Sequence, residues 1–177
     1  MISSQHPPRF GGFTLIELVV TMLLIGTLSA VVMNRISSKD QQSVMVQADL
    51  LRRNLSHLQL LAISQGLRLR LLVASGAYTV TSCPDLNCAA VVKDPATGAS
   101  FTVNVASNDD GSASGVGFSS GTGSYYFDSL GRPVAAWTGD ALNTASIPLT
   151  LKGSSRCVQV NVLPITGFAI AANPTSC

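Results

Sequence analysis

Charge is scarce in this chain. Asp, Glu, Lys and Arg together make up 11% of its 177 residues, and the formal net charge of +2 is too small to call for a polyanionic partner. Histidine is scarcer still, with only His6 and His57, so a metal-binding cluster or a Ser/His/Asp arrangement has little to draw on. Neither a paired-carboxylate motif nor a phosphate-cradling glycine loop is present. These absences argue against an enzyme and leave no motif that calls for a cofactor. Cysteine is limited to Cys83, Cys88, Cys157 and Cys177, an even number that fits an oxidising compartment and allows three pairings. A zinc site would need short-spaced ligand pairs, and Cys83/Cys88 has no histidine to support it. Asp109 and Asp110 lie among Asn, Gly and Ser, a composition that reads as a turn before it reads as a calcium site.

The charges are also unevenly placed. Residues 13–82 carry six Lys/Arg against three acids, whereas residues 83–177 carry four against six. Between Phe13 and Met33 a run of 21 residues holds one charge, Glu17, and at 1.5 Å per residue it matches a bilayer's hydrocarbon core of about 30 Å. The run exceeds a secretory h-region, and "MNRISSKDQQ" continues beyond it without a turn signal. It therefore reads as a retained membrane helix. A carboxylate inside such a helix is costly, about 2.5–3.5 kcal/mol on insertion scales, and calls for a partner.

Neither proline nor any glycine but Gly26 interrupts Phe13 to Gln65, so the membrane segment is expected to continue as one helix of about 50 residues. Val44, Ala48, Leu51, Leu55, Leu58 and Ala62 form an apolar stripe at alternating intervals of four and three, with Arg52, Arg53, Asn54 and Gln59 off it. Asp49 stands four residues before Arg53, a helical ion pair. Gly66 ends the helix. "LRLRLLV" and "AYTV" across "ASG" then read as a hairpin. Arg68 and Arg70 fall on one strand face, where the lack of interleaved aromatics favours a solvated surface over a nucleic-acid contact.

Further strands are expected at 101–106, 125–127, 146–151, 157–163 and 167–172, and the Gly/Ser/Asp-rich stretch 107–124 reads as one long mobile loop. The resulting fold class is α+β: a long N-terminal helix on an antiparallel sheet. In the last hairpin the turn "PITG" would pair Leu163 with Phe168, which places Cys157 opposite Asn173 or Pro174 and Cys177 within reach. That geometry favours a Cys157–Cys177 bridge, leaving Cys83–Cys88 to close "CPDLNC".

The stretch "GGFTLIELVVTMLLIGTLSAVV" resembles the leader and first helix of type IV pilins and type II secretion pseudopilins. The resemblance implies a prepilin leader, residues 1–12, cut by a prepilin peptidase between Gly12 and Phe13, with N-methylation of Phe13. It implies a single-pass anchor in the bacterial inner membrane, the head in the periplasm, and Glu17 meeting the N-terminal amine of a neighbouring subunit during filament assembly. The implied organisation is a transmembrane and assembly helix at 13–35, an amphipathic head helix at 36–66 and a β-rich head at 67–177. Where many major pilins place a proline, this chain has Asn34. "YYFDSLGRPV" and "VQVNVLPITGFAI" are similar to the distal pattern of the GspH/FimT family and of minor pilins of mannose-sensitive haemagglutinin type pili.

The reading that follows is a minor pilin, a structural subunit of a type IV pilus-like filament serving assembly, adhesion or motility. Its partners would be other pilins or pseudopilins, the prepilin peptidase and an inner-membrane assembly platform. Two alternatives share the leader: a type II secretion pseudopilin of GspH type, and a DNA-binding minor pilin for natural transformation. The last would draw on Arg132, Lys152 and Arg156, against six acids in the same half of the chain, and that balance disfavours nucleic acid.

Overall fold

A computed structural model describes residues 14–84, 88–94, 97–107 and 113–177, and their side chains except those of 30–41. The chain divides into two compact units, Met1–Ser38 and Lys39–Cys177. A helix, α1 (Leu15–Gln65), begins in the first and ends in the second.

In the first unit, the described apolar side chains from Leu15 to Leu28 are all exposed, from 46% at Val19 to 84% at Leu15. A helix that is apolar all round needs cover on every side, from lipid or from other helices. Its hydroxyls are already satisfied: Thr21 and Thr27 donate to the carbonyls three residues back, and Ser29 to the carbonyl of Ile25, at 2.8–2.9 Å. This back-bonding lets hydroxyls sit in an apolar medium. Among the described residues no helix is long and apolar enough to cross a membrane, and the run Phe13–Met33 extends past them at both ends.

In the second unit the stripe does what its period predicts. Val44, Ala48, Leu51, Leu55, Leu58 and Ala62 are each at most 1% exposed. Each buried Val or Leu contributes about 1.5–3 kcal/mol. Gly66 adopts a φ of +63°, and the Leu67 N–H returns to the Ala62 carbonyl at 3.2 Å, the left-handed C-terminal cap that glycine permits.

Two antiparallel sheets complete the unit. The first contains β1 (Leu69–Val73), β2 (Ala77–Ser82), β3 (Ala90–Val91), β4 (Thr102–Asn104), β6 (Gly123–Phe127) and β7 (Pro133–Val134), in the order β3-β2-β1-β6-β7 with β4 also on β2. The second contains β5 (Gly117–Ser120), β8 (Ile147–Lys152), β9 (Arg156–Val162), β10 (Ala169–Ala171) and β11 (Thr175–Ser176), in the order β10-β9-β8-β5 with β11 also on β9. Period-2 alternation turns Leu69, Leu71 and Val73 of β1, Ile147, Leu149 and Leu151 of β8, and Val158, Val160 and Val162 of β9 into one core shared with the helix stripe. The layout is that of a type IV pilin-like α+β domain.

Three expectations need correction. The sheet is two sheets. The stretch 107–124 is not one loop, because Gly117–Ser120 and the start of β6 are paired strands within it; Phe118 turns into the core and supplies what a glycine-rich segment otherwise lacks. In the last hairpin Leu163 and Phe168 do pair, but beyond Ala171 the register shifts by one, so Cys157 faces Thr175 rather than Pro174. Pro174 has no N–H to offer the ladder, which interrupts the pairing before β11 resumes it.

Candidate assembly site and head surfaces

Gly12 and Phe13 lie outside the described residues; the described chain enters α1 at Thr14. The Thr14 hydroxyl accepts the backbone N–H of Glu17 at 3.3 Å, and the Glu17 carboxylate accepts the backbone N–H of Thr14 at 3.5 Å. This reciprocal pair is a capping box, with Thr14 at the N-cap and Glu17 three residues on. Glu17 therefore has a local role that sequence reasoning missed, although "TLIE" carries the Thr-x-x-Glu signal for it. The carboxylate also sits in the first turn, where the helix dipole favours an anion. At 3.5 Å its bond to Thr14 is long, and the group stays exposed and free to take a stronger donor.

The turn "DSLGR" between β6 and β7 is built around one buried carboxylate. Asp128, 3% exposed, accepts the backbone N–H groups of Leu130 at 3.0 Å and Arg132 at 2.8 Å on Oδ1. Its Oδ2 accepts Arg132 Nε at 2.8 Å and pairs with Nη2 at 2.7 Å. Burial would push the Asp128 carboxyl up, but the hydrogen bonds from Arg132 and Leu130 outweigh it and hold it below the usual carboxylate range. The Arg132 guanidinium is thus committed to its own turn.

Two glycines then join this turn to the rest of the head. Gln59, off the helix stripe, donates from Nε2 to the carbonyls of Gly131 and Thr166, both at 2.9 Å. Gly131 and Gly167 have φ of +74° and +71°, and a Cβ on Gly167 would overlap the Gln59 amide and come within 2.8 Å of the Gly131 carbonyl. One glutamine side chain therefore clamps two distant turns, "LGR" and "ITG", onto the helix.

The remaining candidates are scattered. Lys152 ends β8 and Arg156 begins β9, so the two flank one turn of the second sheet, whereas Arg132 belongs to a turn of the first. Lys152 also borders a shallow cavity of about 270 Å³ with Gly115, Gly117, Phe118, Ser119 and Gly153. Arg68 departs from the solvated face expected of it. Its guanidinium donates to the Trp137 carbonyl at 2.9 Å, to the Gly139 carbonyl at 2.8 Å and to the Asp140 carboxylate, holding the loop after β7. Arg70 lies on β1 and donates to Thr81 Oγ1. Asp49 pairs with Arg53 at 2.7 Å and also with Arg52 at 2.9 Å, and the hydrogen bond from Arg52 is the main reason its carboxyl lies below the usual range. Burial pushes the Tyr78 phenol up, although Asn54 donates to its oxygen at 2.6 Å.

His57 is half-buried against Phe101, with ring centroids 6.0 Å apart, and its Nε2 has no hydrogen-bond partner among the described residues. Asp109 and Asp110 lie outside the described residues. Cys83 is bonded to Cys88, and Cys157 to Cys177.

The model of the prokaryotic N-terminal methylation motif matches residues 8–33. That match supports a type IV pilin-like filament subunit. No curated protein and no solved structure matches the chain. The pilin-like motif implies a membrane-anchored subunit that assembles with other pilins and meets a prepilin peptidase, and type IV pilin-like proteins are structural subunits, not enzymes.

Proposed function

We propose that this chain is a minor pilin of a type IV pilus-like filament. The prepilin peptidase cuts between Gly12 and Phe13 and the new Phe13 amine is methylated. The helix stays in the inner membrane with the head in the periplasm, and the assembly platform moves the subunit into the filament. The observation that carries the reading is the placement of Glu17: the one carboxylate of the apolar run, in the first turn of a helix whose apolar side chains are exposed on all sides.

After cleavage the chain begins one residue before the cap. A positively charged terminal amine in an apolar medium needs an anion, and a carboxylate held only by a long bond to Thr14 can be given up to it. When a neighbour docks, its amine replaces the weak neutral donor with a charged one, and a mismatch in axial register would leave both charges unpaired at a cost of several kcal/mol. The pair thus acts as a register mark more than as an adhesive.

The test separates the cap from the charge. Glu17→Gln keeps an acceptor for the Thr14 N–H and so keeps the capping box, whereas Glu17→Ala removes both. Both variants should be cleaved and retained in the membrane, and both should be missing from sheared filaments. Wild-type incorporation of Glu17→Gln would mean that the cap, and not the charge pair, sets assembly. The DNA-binding alternative draws little from the head, since Arg132 is bound to Asp128 and only Lys152 and Arg156 share a turn.

A further inference from the structure

The turn that Gln59 clamps contains an anomaly. Ile165 has a φ of +65°, and the Thr166 N–H bonds to the Pro164 carbonyl at 2.6 Å, across a single residue. This is the γ-turn with positive φ, the rare and strained form, and a β-branched residue there is a genuine outlier. Core packing does not account for it, because Ile165 is 55% exposed. A side chain that neither suits its backbone nor enters the core is being presented outward.

What surrounds it is apolar too. Gln59 brings the Gly131 and Thr166 carbonyls together, and so gathers Leu130 of one turn, Ile165 and Phe168 of the other, and Leu60 and Ile63 of the adjoining helix. These five are between 53% and 60% exposed. Together they offer roughly 500 Å², at the upper end of what a soluble monomer exposes and short of the about 800 Å² per partner that a stable interface buries. A patch of this size would not hold a partner drawn from dilute solution. It suffices for one already held alongside, where tethering raises the effective concentration to the millimolar range.

We propose that this patch pairs the heads of two copies of this chain held side by side in the membrane. The proposal rests on the membrane anchoring read above. A second copy fits because the charges within the turn, Asp128 and Arg132, neutralise each other, so apposing the patch with itself brings no net like charge together. A two-fold axis along the membrane normal would place Ile165 near its counterpart, as a self-complementary interface requires.

The full-length chain, purified and reconstituted into phosphatidylethanolamine/phosphatidylglycerol vesicles, carries Ile165→Cys or, as a control, Val91→Cys. Val91 is 67% exposed on β3 of the other sheet edge. Mild oxidation should give a dimer several-fold more abundant for Ile165→Cys than for Val91→Cys, and adding Leu130→Asp should remove that excess. Equal cross-linking at both sites, or cross-linking at Ile165 that ignores Leu130→Asp, would overturn the pairing. So would a chain that pellets with vesicles yet forms no dimer at Ile165. A chain that fails to pellet with vesicles overturns the anchoring, and the tethered pairing with it, so the two failures are told apart by sedimentation.

Discussion

Asp128→Asn should destabilise the head by about 2–3 kcal/mol at neutral pH. The asparagine oxygen can still accept the N–H groups of Leu130 and Arg132, at 3.0 and 2.8 Å in the wild type, but its amide would face the guanidinium donor to donor. Two bonds to a charged group are lost, at about 1.5–3 kcal/mol each. The sum is discounted because the Arg132 side chain is 37% exposed and regains water. For a head of this size the midpoint of thermal unfolding should fall by about 6–12 °C. The sign with pH follows from the lowered carboxyl of Asp128. Its stabilisation is complete above the unfolded-state value of about 3.9 and is lost as the pH falls from there through the folded-state value. Urea titrations of the full chain in detergent, read by the single tryptophan, Trp137, should give the full gap between wild type and variant at pH 7. The gap should narrow below about pH 4. A variant within about 0.5 kcal/mol of wild type at pH 7, or a gap unchanged down to pH 3, would refute the charge-based account of this turn.

Gly167→Ala should cost about 3 kcal/mol, from a left-handed backbone and from overlap with Gln59, whereas Gly98→Ala, with φ of +71° and open space around it, should cost only about 1; urea midpoints compare them, and equal losses would mean that the glycine contact does not close the clamp. Non-reducing peptide mapping should recover Cys83–Cys88 and Cys157–Cys177, and by loop closure Cys157→Ser should lose about 3 kcal/mol against about 2 for Cys83→Ser. Recovery of Cys83–Cys157 peptides would contradict the β9–β11 register.

Much of the fold is legible in the sequence because it rests on periodicity. The stripe from Val44 to Ala62 and the alternation in β1, β2, β8 and β9 are local patterns, and each one buries the residues its period assigns. Strands of two residues, such as β3, β7 and β11, have no period to read; they exist because a neighbouring strand offers free ladder groups. Phe118 is the sole large apolar residue of β5, so a Gly/Ser segment hides a strand whose pairing is decided by β8. The clamp is illegible for a different reason. Gln59 meets carbonyls 72 and 107 residues away, and a polar residue off the helix stripe looks solvated until the turns it holds are folded. Likewise Arg68 looked like surface charge because the loop at Trp137–Asp140 that takes it up is distant in sequence. The capping box was legible in "TLIE", yet the apolar run drew the reading of Glu17 toward the membrane and away from its own helix.

The account's central claim is that this chain is processed and assembled as a filament subunit, and the N-terminus of the protein recovered from sheared filaments tests it most directly. Mass spectrometry should find a chain that begins at N-methylated Phe13, with the twelve residues through Gly12 removed. A chain absent from filaments and still beginning at Met1, in cells whose prepilin peptidase processes other substrates, would contradict it.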